Sequence, residues 1–143
     1  MGPISLITLV VALCLAVLAV LAVTTARASS ALAERQAAFT ADDYANEAVA
    51  QEVLAGVRTA AAEGGADAVG SQLEVLLAKA GDEGPAVTAE LDGDSLSVHV
   101  ESESGRCLDA VLTISGNEVG VASWKATTLW DEDTGDVLWT GRN

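Results

Sequence analysis

Residues 4–23 read ISLITLVVALCLAVLAVLAV, twenty consecutive positions with no charged side chain and only two hydroxyls, Ser5 and Thr8. Both can hydrogen-bond back along a helix. No soluble surface can be built from such a run, and its length is that of a bilayer: a hydrocarbon core of roughly 30 Å at about 1.5 Å rise per residue calls for about 20 residues. The run therefore predicts a single transmembrane helix, with the lipid bilayer as its partner. Two alternatives fit less well. A secretory signal has a basic start and an apolar stretch of about 7 to 15 residues, whereas Met1-Gly2-Pro3 is uncharged and the run is longer, although Ala26-Arg27-Ala28 has the small-x-small form of a cleavage site. Cys14 is not a lipoprotein site either, because Leu13 stands where a small residue is needed and the apolar run continues past it.

Charge divides the chain at the same place. The first 26 residues carry none, while from Ala28 onward 6 basic side chains face 21 acidic ones, a formal charge of about −15. Nucleic acid is excluded as an expected partner, since binding a polyanion needs clustered Lys and Arg. Arg27 and Arg35 follow the span and nothing basic precedes it, so charge bias by itself places the rest of the chain in the cytoplasm.

Residues 28–62 hold no proline and one glycine and are rich in Ala, Glu, Gln and Leu, which predicts helix. Thr40 with Asp43 has the form of a capping box, where a kink or restart is expected. From Ala45, the apolar residues Val49, Val53, Val57 and Ala60, joined by Ala50, Leu54 and Ala61, recur at three- and four-residue spacing and define a face to bury. Before Ala45 that face is thin, so residues 28–44 read as a stalk. Gly64-Gly65 breaks the pattern, and Val69, Leu73, Leu76 and Leu77 mark a second helix over 66–80.

Beyond Pro85 the period drops to two. Val87, Ala89 and Leu91, then Leu96, Val98 and Val100 across Asp92-Gly93-Asp94, predict a hairpin. Leu108, Ala110, Leu112 and Ile114 share one face of a third strand. Ser115-Gly116-Asn117 turns into a long fourth strand that needs a bend at Gly120 or at Ala122-Ser123, and 137–140 can add a fifth. The expected organisation is a transmembrane anchor (1–27), a helical stalk (28–44) and a soluble acidic domain (45–143) with helices 45–62 and 66–80 and a sheet over 86–140. The fold class is α+β: a transmembrane helix continuing into a long amphipathic helix packed on a C-terminal antiparallel β-meander of four or five strands.

Motifs for chemistry are few. His99, the one histidine, falls opposite Leu96, Val98 and Val100 in the alternation and is expected on a solvent face, with no catalytic partner. Cys107 is expected as a half-buried small residue, and no disulfide with Cys14 is expected, one lying in the apolar helix and the other in a strand. Asp131, Asp133 and Asp136 sit in an acidic turn, the one cluster able to supply several oxygens to Ca²⁺, but the glycine and distal glutamate of an EF-hand are not in place. A solvated turn is the main expectation and a weak Ca²⁺ site the alternative; no other cofactor is expected. Trp124, Trp130 and Trp139 either close the end of a small core or form a partner surface. With no phosphate loop, paired-cysteine motif or nucleophile elbow, an enzyme is not expected.

The uncharged Met-Gly start, the hydrophobic helix running into an Ala-rich amphipathic one, the stretch Tyr44-Ala45-Asn46-Glu47-Ala48 and the C-terminal sheet together resemble the type IV pilin and pseudopilin group. SLITLVVALCLAVLAVLAVTTARA followed by DDYANEAVAQEVLA is similar to minor pilin-like subunits such as tip pseudopilins of type II secretion, and SWKATTLWDEDTGDVLW is similar to membrane-anchored proteins of Gram-positive bacteria. Pro3 and the lack of an acidic residue in the apolar helix depart from the usual prepilin pattern. The resemblance implies a structural subunit at the cell surface, an outward-facing acidic domain and other pilin-like subunits as partners through the N-terminal helix. Ala12, Ala16 and Ala19, at four- and three-residue spacing, are the packing stripe expected for those contacts. The second class of function is an independent single-span envelope protein whose domain binds a ligand, Ca²⁺ or a protein.

Overall fold

The computed structural model describes residues 2–129. It contains a long helix, α1 (Pro3–Ala80), followed by four strands: β1 (Ala86–Asp92), β2 (Ser95–Glu101), β3 (Arg106–Ser115) and β4 (Glu118–Thr128). The class is α+β, as the sequence predicts. The chain divides into two compact units, one up to Ala38 and one from Phe39.

The first unit is the early part of α1. It contains a stretch long and apolar enough to cross a membrane, and none of that stretch is buried by the protein itself. The Thr8 hydroxyl donates to the Ile4 carbonyl at 2.8 Å, and that of Thr24 to the Leu21 carbonyl at 3.0 Å, so these polar groups are satisfied within the helix.

In the second unit, the expected stripe is the buried one: Val49, Ala50, Val53, Leu54, Val57, Ala60 and Ala61 all lie in the core. Helical dihedrals are lost at Gly64 and Gly65. Gly64 is extended, at φ −165°, whereas Gly65 has φ +66° and ψ −149°, a region that is essentially glycine's own. Beyond this kink, residues 66–80 turn back along the helix. Lys79 pairs with Glu52 at 3.6 Å, and Gln72 donates to Glu63 at 3.3 Å. Gly56 lets Leu76 approach, for a Cβ at that position would lie 2.6 Å from Leu76 Cδ2. No kink or restart occurs at Thr40–Asp43, since the non-helical dihedrals within α1 fall at Gly64 and Gly65. The local capping signal is overridden because Asp43 is engaged by the sheet, through Arg106.

The strands form one antiparallel meander in the order β1-β2-β3-β4. Two-residue loops join β1 to β2 and β3 to β4, with Gly93 and Gly116 at positive φ in the first loop position, where a type II′ turn places glycine. The even-numbered residues Leu96, Val98, Val100, Leu108, Ala110, Leu112 and Ile114 are buried against the helical layer. Asn117 Nδ2 donates to the Ala62 carbonyl at 3.0 Å, fastening the β3–β4 turn beside the helical kink.

The bend in β4 is a bulge at the second of the two expected places. Val111 pairs with Ser123 and Leu112 with Val121, which leaves Ala122 without a partner. The extra residue changes the parity of the strand. Val119 and Val121 stand opposite the core residues Ile114 and Leu112 before the bulge, and Trp124 and Ala126 stand opposite Ala110 and Leu108 after it. Trp124 packs, half-buried, against the core. The expected fifth strand at 137–140 lies outside the described residues.

Candidate functional site

Two clusters of polar side chains organise the second unit. The first joins helix to sheet. Asn46, buried, donates through Nδ2 to the Arg106 carbonyl at 2.9 Å and accepts from the Ser102 hydroxyl at 2.6 Å. The Arg106 side chain makes a two-point ion pair with Asp43, with Nε to Oδ1 at 2.8 Å. It also donates to Thr128 at 2.6 Å and lies over the Phe39 ring at 5.9 Å. The hydrogen bond that Arg106 donates to Asp43 raises the Arg106 pKa above its ordinary value against a smaller opposing effect of desolvation. This arrangement holds the first helical turns of the unit to the β2–β3 connection. With every group partnered inside the protein, it is a clasp.

The second cluster lies on the other face of the sheet. Register pairs His99 with Asp109 and Glu101 with Cys107 across β2 and β3. Odd-numbered residues point away from the helical layer, so these four side chains form a two-by-two patch. His99 Nδ1 lies 2.6 Å from Asp109 Oδ1, and His99 Nε2 lies 3.8 Å from Glu101 Oε2. An ionised carboxylate only accepts, so Nδ1 carries the proton and Nε2 is the ring atom turned toward Glu101. Thr127 donates to the other Asp109 oxygen at 3.4 Å. Ligand atoms of His99, Glu101 and Cys107 all lie within 4.8 Å of one another.

Cys107 corrects the expectation of a half-buried residue, for only 1 % of it is exposed although it lies on the outward face. Its thiol lies 3.6 Å from the Gly105 carbonyl oxygen. Leu129, whose N–H also bonds the Gly105 carbonyl at 2.8 Å, lies beside it. Burial pushes the Cys107 thiol pKa up, the charges of Glu101 and Asp109 push it the same way, and a backbone hydrogen bond from Leu129 opposes them.

Ala12, Ala16 and Ala19 lie exposed on the first unit. Of the three tryptophans, Trp124 packs against the core, while Trp130 and Trp139 lie outside the described residues, as do Asp131, Asp133 and Asp136 of the expected Ca²⁺ turn. The patch of His99, Glu101, Cys107 and Asp109 was not among the expected sites. Its signal lay only in the pairing: once Glu101 and Cys107 face each other across the five residues 102–106, His99 and Asp109 must do so as well. No family model, curated protein or solved structure matches this chain.

Proposed function

We propose that this protein is a membrane-anchored structural subunit of the pilin-like kind. Residues 4–23 cross the bilayer once, the helix lies beside those of other pilin-like subunits, and the acidic domain is displayed outside the cytoplasm. The observation that carries the reading is the exposure of the first unit: Ile4, Leu6, Ile7, Leu9 and nine further large apolar residues through Val23 are each at least half open in the protein. Such a surface is not stable in water and requires lipid or other apolar helices around it. Between helices in lipid the hydrophobic effect gives no preference, so association rests on close packing at small residues, here Ala12, Ala16 and Ala19. The outward orientation follows the resemblance to pilins rather than the two-arginine bias of Arg27 and Arg35.

Protease treatment of intact cells tests the orientation. Cleavage of the domain without lysis is expected, and protection until lysis overturns the outward placement. Joint replacement of Ala12, Ala16 and Ala19 by Leu tests assembly, because it keeps the span apolar and its length unchanged. Crosslinks from the helix to neighbouring subunits are expected to fall while membrane levels hold; unchanged crosslinks reduce the helix to a tether. The polar patch on the outer sheet face favours a second reading, in which the tethered domain is a binding module.

A further inference from the structure

We propose that His99, Glu101 and Cys107 form a binding site for a zinc-like divalent transition-metal ion, with Asp109 as a positioning residue for His99. The inference concerns the second unit alone and holds under either reading of the membrane segment.

Adjacent strands in fixed register present the four side chains, a more rigid platform than a loop. Around a tetrahedral ion with bonds of about 2.0 to 2.3 Å, ligand atoms stand roughly 3.3 to 3.8 Å apart. His99 Nε2 and Glu101 Oε2 are already at 3.8 Å, and one ligand atom from each of the three residues lies within 4.8 Å of the other two. Closing the remainder falls to Glu101, whose side chain is 45 % exposed and free to change rotamer, while the buried Cys107 stays in place.

Asp109 supplies what an isolated surface histidine lacks. By accepting from Nδ1 it fixes the tautomer that leaves the Nε2 lone pair for a metal, the usual carboxylate–histidine–metal arrangement. The donor set also selects the ion. Imidazole with thiolate suits zinc and its neighbours, whereas Ca²⁺ and Mg²⁺ require oxygen ligands throughout. On binding, the S–H bond of Cys107 breaks, its proton goes to solvent and its electron pair forms the S–metal bond. The two carboxylates and the thiolate then bring three negative charges to the patch, of which a divalent ion offsets two. Three protein ligands leave a fourth position for water or a partner's side chain.

The experiment uses the full chain in detergent, stripped with a chelator and titrated with Co²⁺. A thiolate-to-cobalt charge-transfer band that saturates at one cobalt per chain, is bleached by Zn²⁺ and is indifferent to Ca²⁺ is the expected result. Cys14→Ser should keep the band and Cys107→Ser should lose it. His99→Gln, at a half-exposed position outside the core, should weaken Co²⁺ binding at least tenfold whether or not the cysteine variant folds. Asp109→Asn should weaken binding by about 10- to 100-fold while the band persists, as expected of an outer-shell group. Absence of the band in the wild type, its survival in Cys107→Ser, its loss in Cys14→Ser, or equal affinity in His99→Gln overturns the site.

Discussion

The residues up to Ala38 and those from Phe39 draw on nearly the same apolar alphabet of Ala, Val and Leu, yet use it in opposite ways. In the first unit the apolar residues occupy every side of the helix and stay open: Leu13 is 59 % and Leu18 60 % exposed. In the second they recur on one helical face and on alternate strand positions and are buried, Val57 and Leu96 completely. The arrangement of the residues decides the difference. A helix apolar all round has no side to give to water, so it needs an apolar surrounding, whereas a striped helix closes its own core against a sheet.

The comparison breaks most visibly where one kind of residue is truncated in both places. Leu96→Ala should destabilise the second unit by about 2 to 5 kcal/mol, because the transfer free energy is lost and the cavity cannot collapse fully between strand and helix. Leu13→Ala should leave the thermal unfolding of that unit unchanged. Differential scanning calorimetry of the full chain in detergent separates the two, and an equal shift from both variants would deny that the units differ in this way.

A smaller effect is expected at the kink that gives the second unit its folded-back helix. Gly65→Ala should cost about 1 to 3 kcal/mol, since φ +66° with ψ −149° is a conformation an L side chain resists. A Cβ there would also lie 3.0 Å from the Gly116 carbonyl oxygen, which is backbone and cannot swing aside. Gly64→Ala, at an extended φ any residue adopts, should cost less. Denaturant midpoints of the two variants rank them, and the reverse order would show that the kink is not held by Gly65. Comparable in size, Asn46→Ala should cost about 1 to 2 kcal/mol by leaving the buried Ser102 hydroxyl without its acceptor. Here Ser102→Ala together with Asn46→Ala should cost less than the sum of the single changes, and full additivity would mean that the two side chains do not act as a pair.

Much of this fold was legible because period and punctuation agree. The switch from 3.6 to 2 near Pro85, the glycine pair at 64–65 and the short glycine turns are local signals, and each marks a boundary in the structure. The bend in β4 was legible as a choice of two places. The register settles it: Ala122 is the extra residue, so Val119 and Trp124, of opposite parity, both pack against the core. The clasp and the outer patch were not legible in the same way. Asp43 and Arg106 are far apart in the chain, and an acid in an alanine-rich helix looks like any other solvated charge. His99 and Cys107 become neighbours only through the register of β2 and β3. Alternation correctly places Cys107 on the outward face, but period alone does not show that this face is closed over at its position.

That closure yields the smallest expected effect, and it separates the two cysteines. Burial, aided by Glu101 and Asp109, raises the Cys107 pKa in the folded protein, while in the unfolded chain the thiol titrates near its ordinary value of about 8.5. A group that ionises on loss of a proton and has a raised folded pKa favours the folded state less as the pH rises: above about 8.5 the unfolded chain sheds the proton and the folded one keeps it. With a chelator present, the second unit should therefore lose stability progressively from about pH 8.5 upward, and should be unaffected by this group below that. Comparing the pH dependence of denaturant midpoints in the wild type, Cys107→Ala and Cys14→Ala isolates the contribution. The slope above pH 8.5 should flatten in Cys107→Ala and remain in Cys14→Ala, whose site lies on the exposed part of the apolar helix. An unchanged slope in Cys107→Ala would mean that the thiol reaches solvent as freely in the folded protein as in the unfolded one, and that the outward face of the sheet is open at this strand.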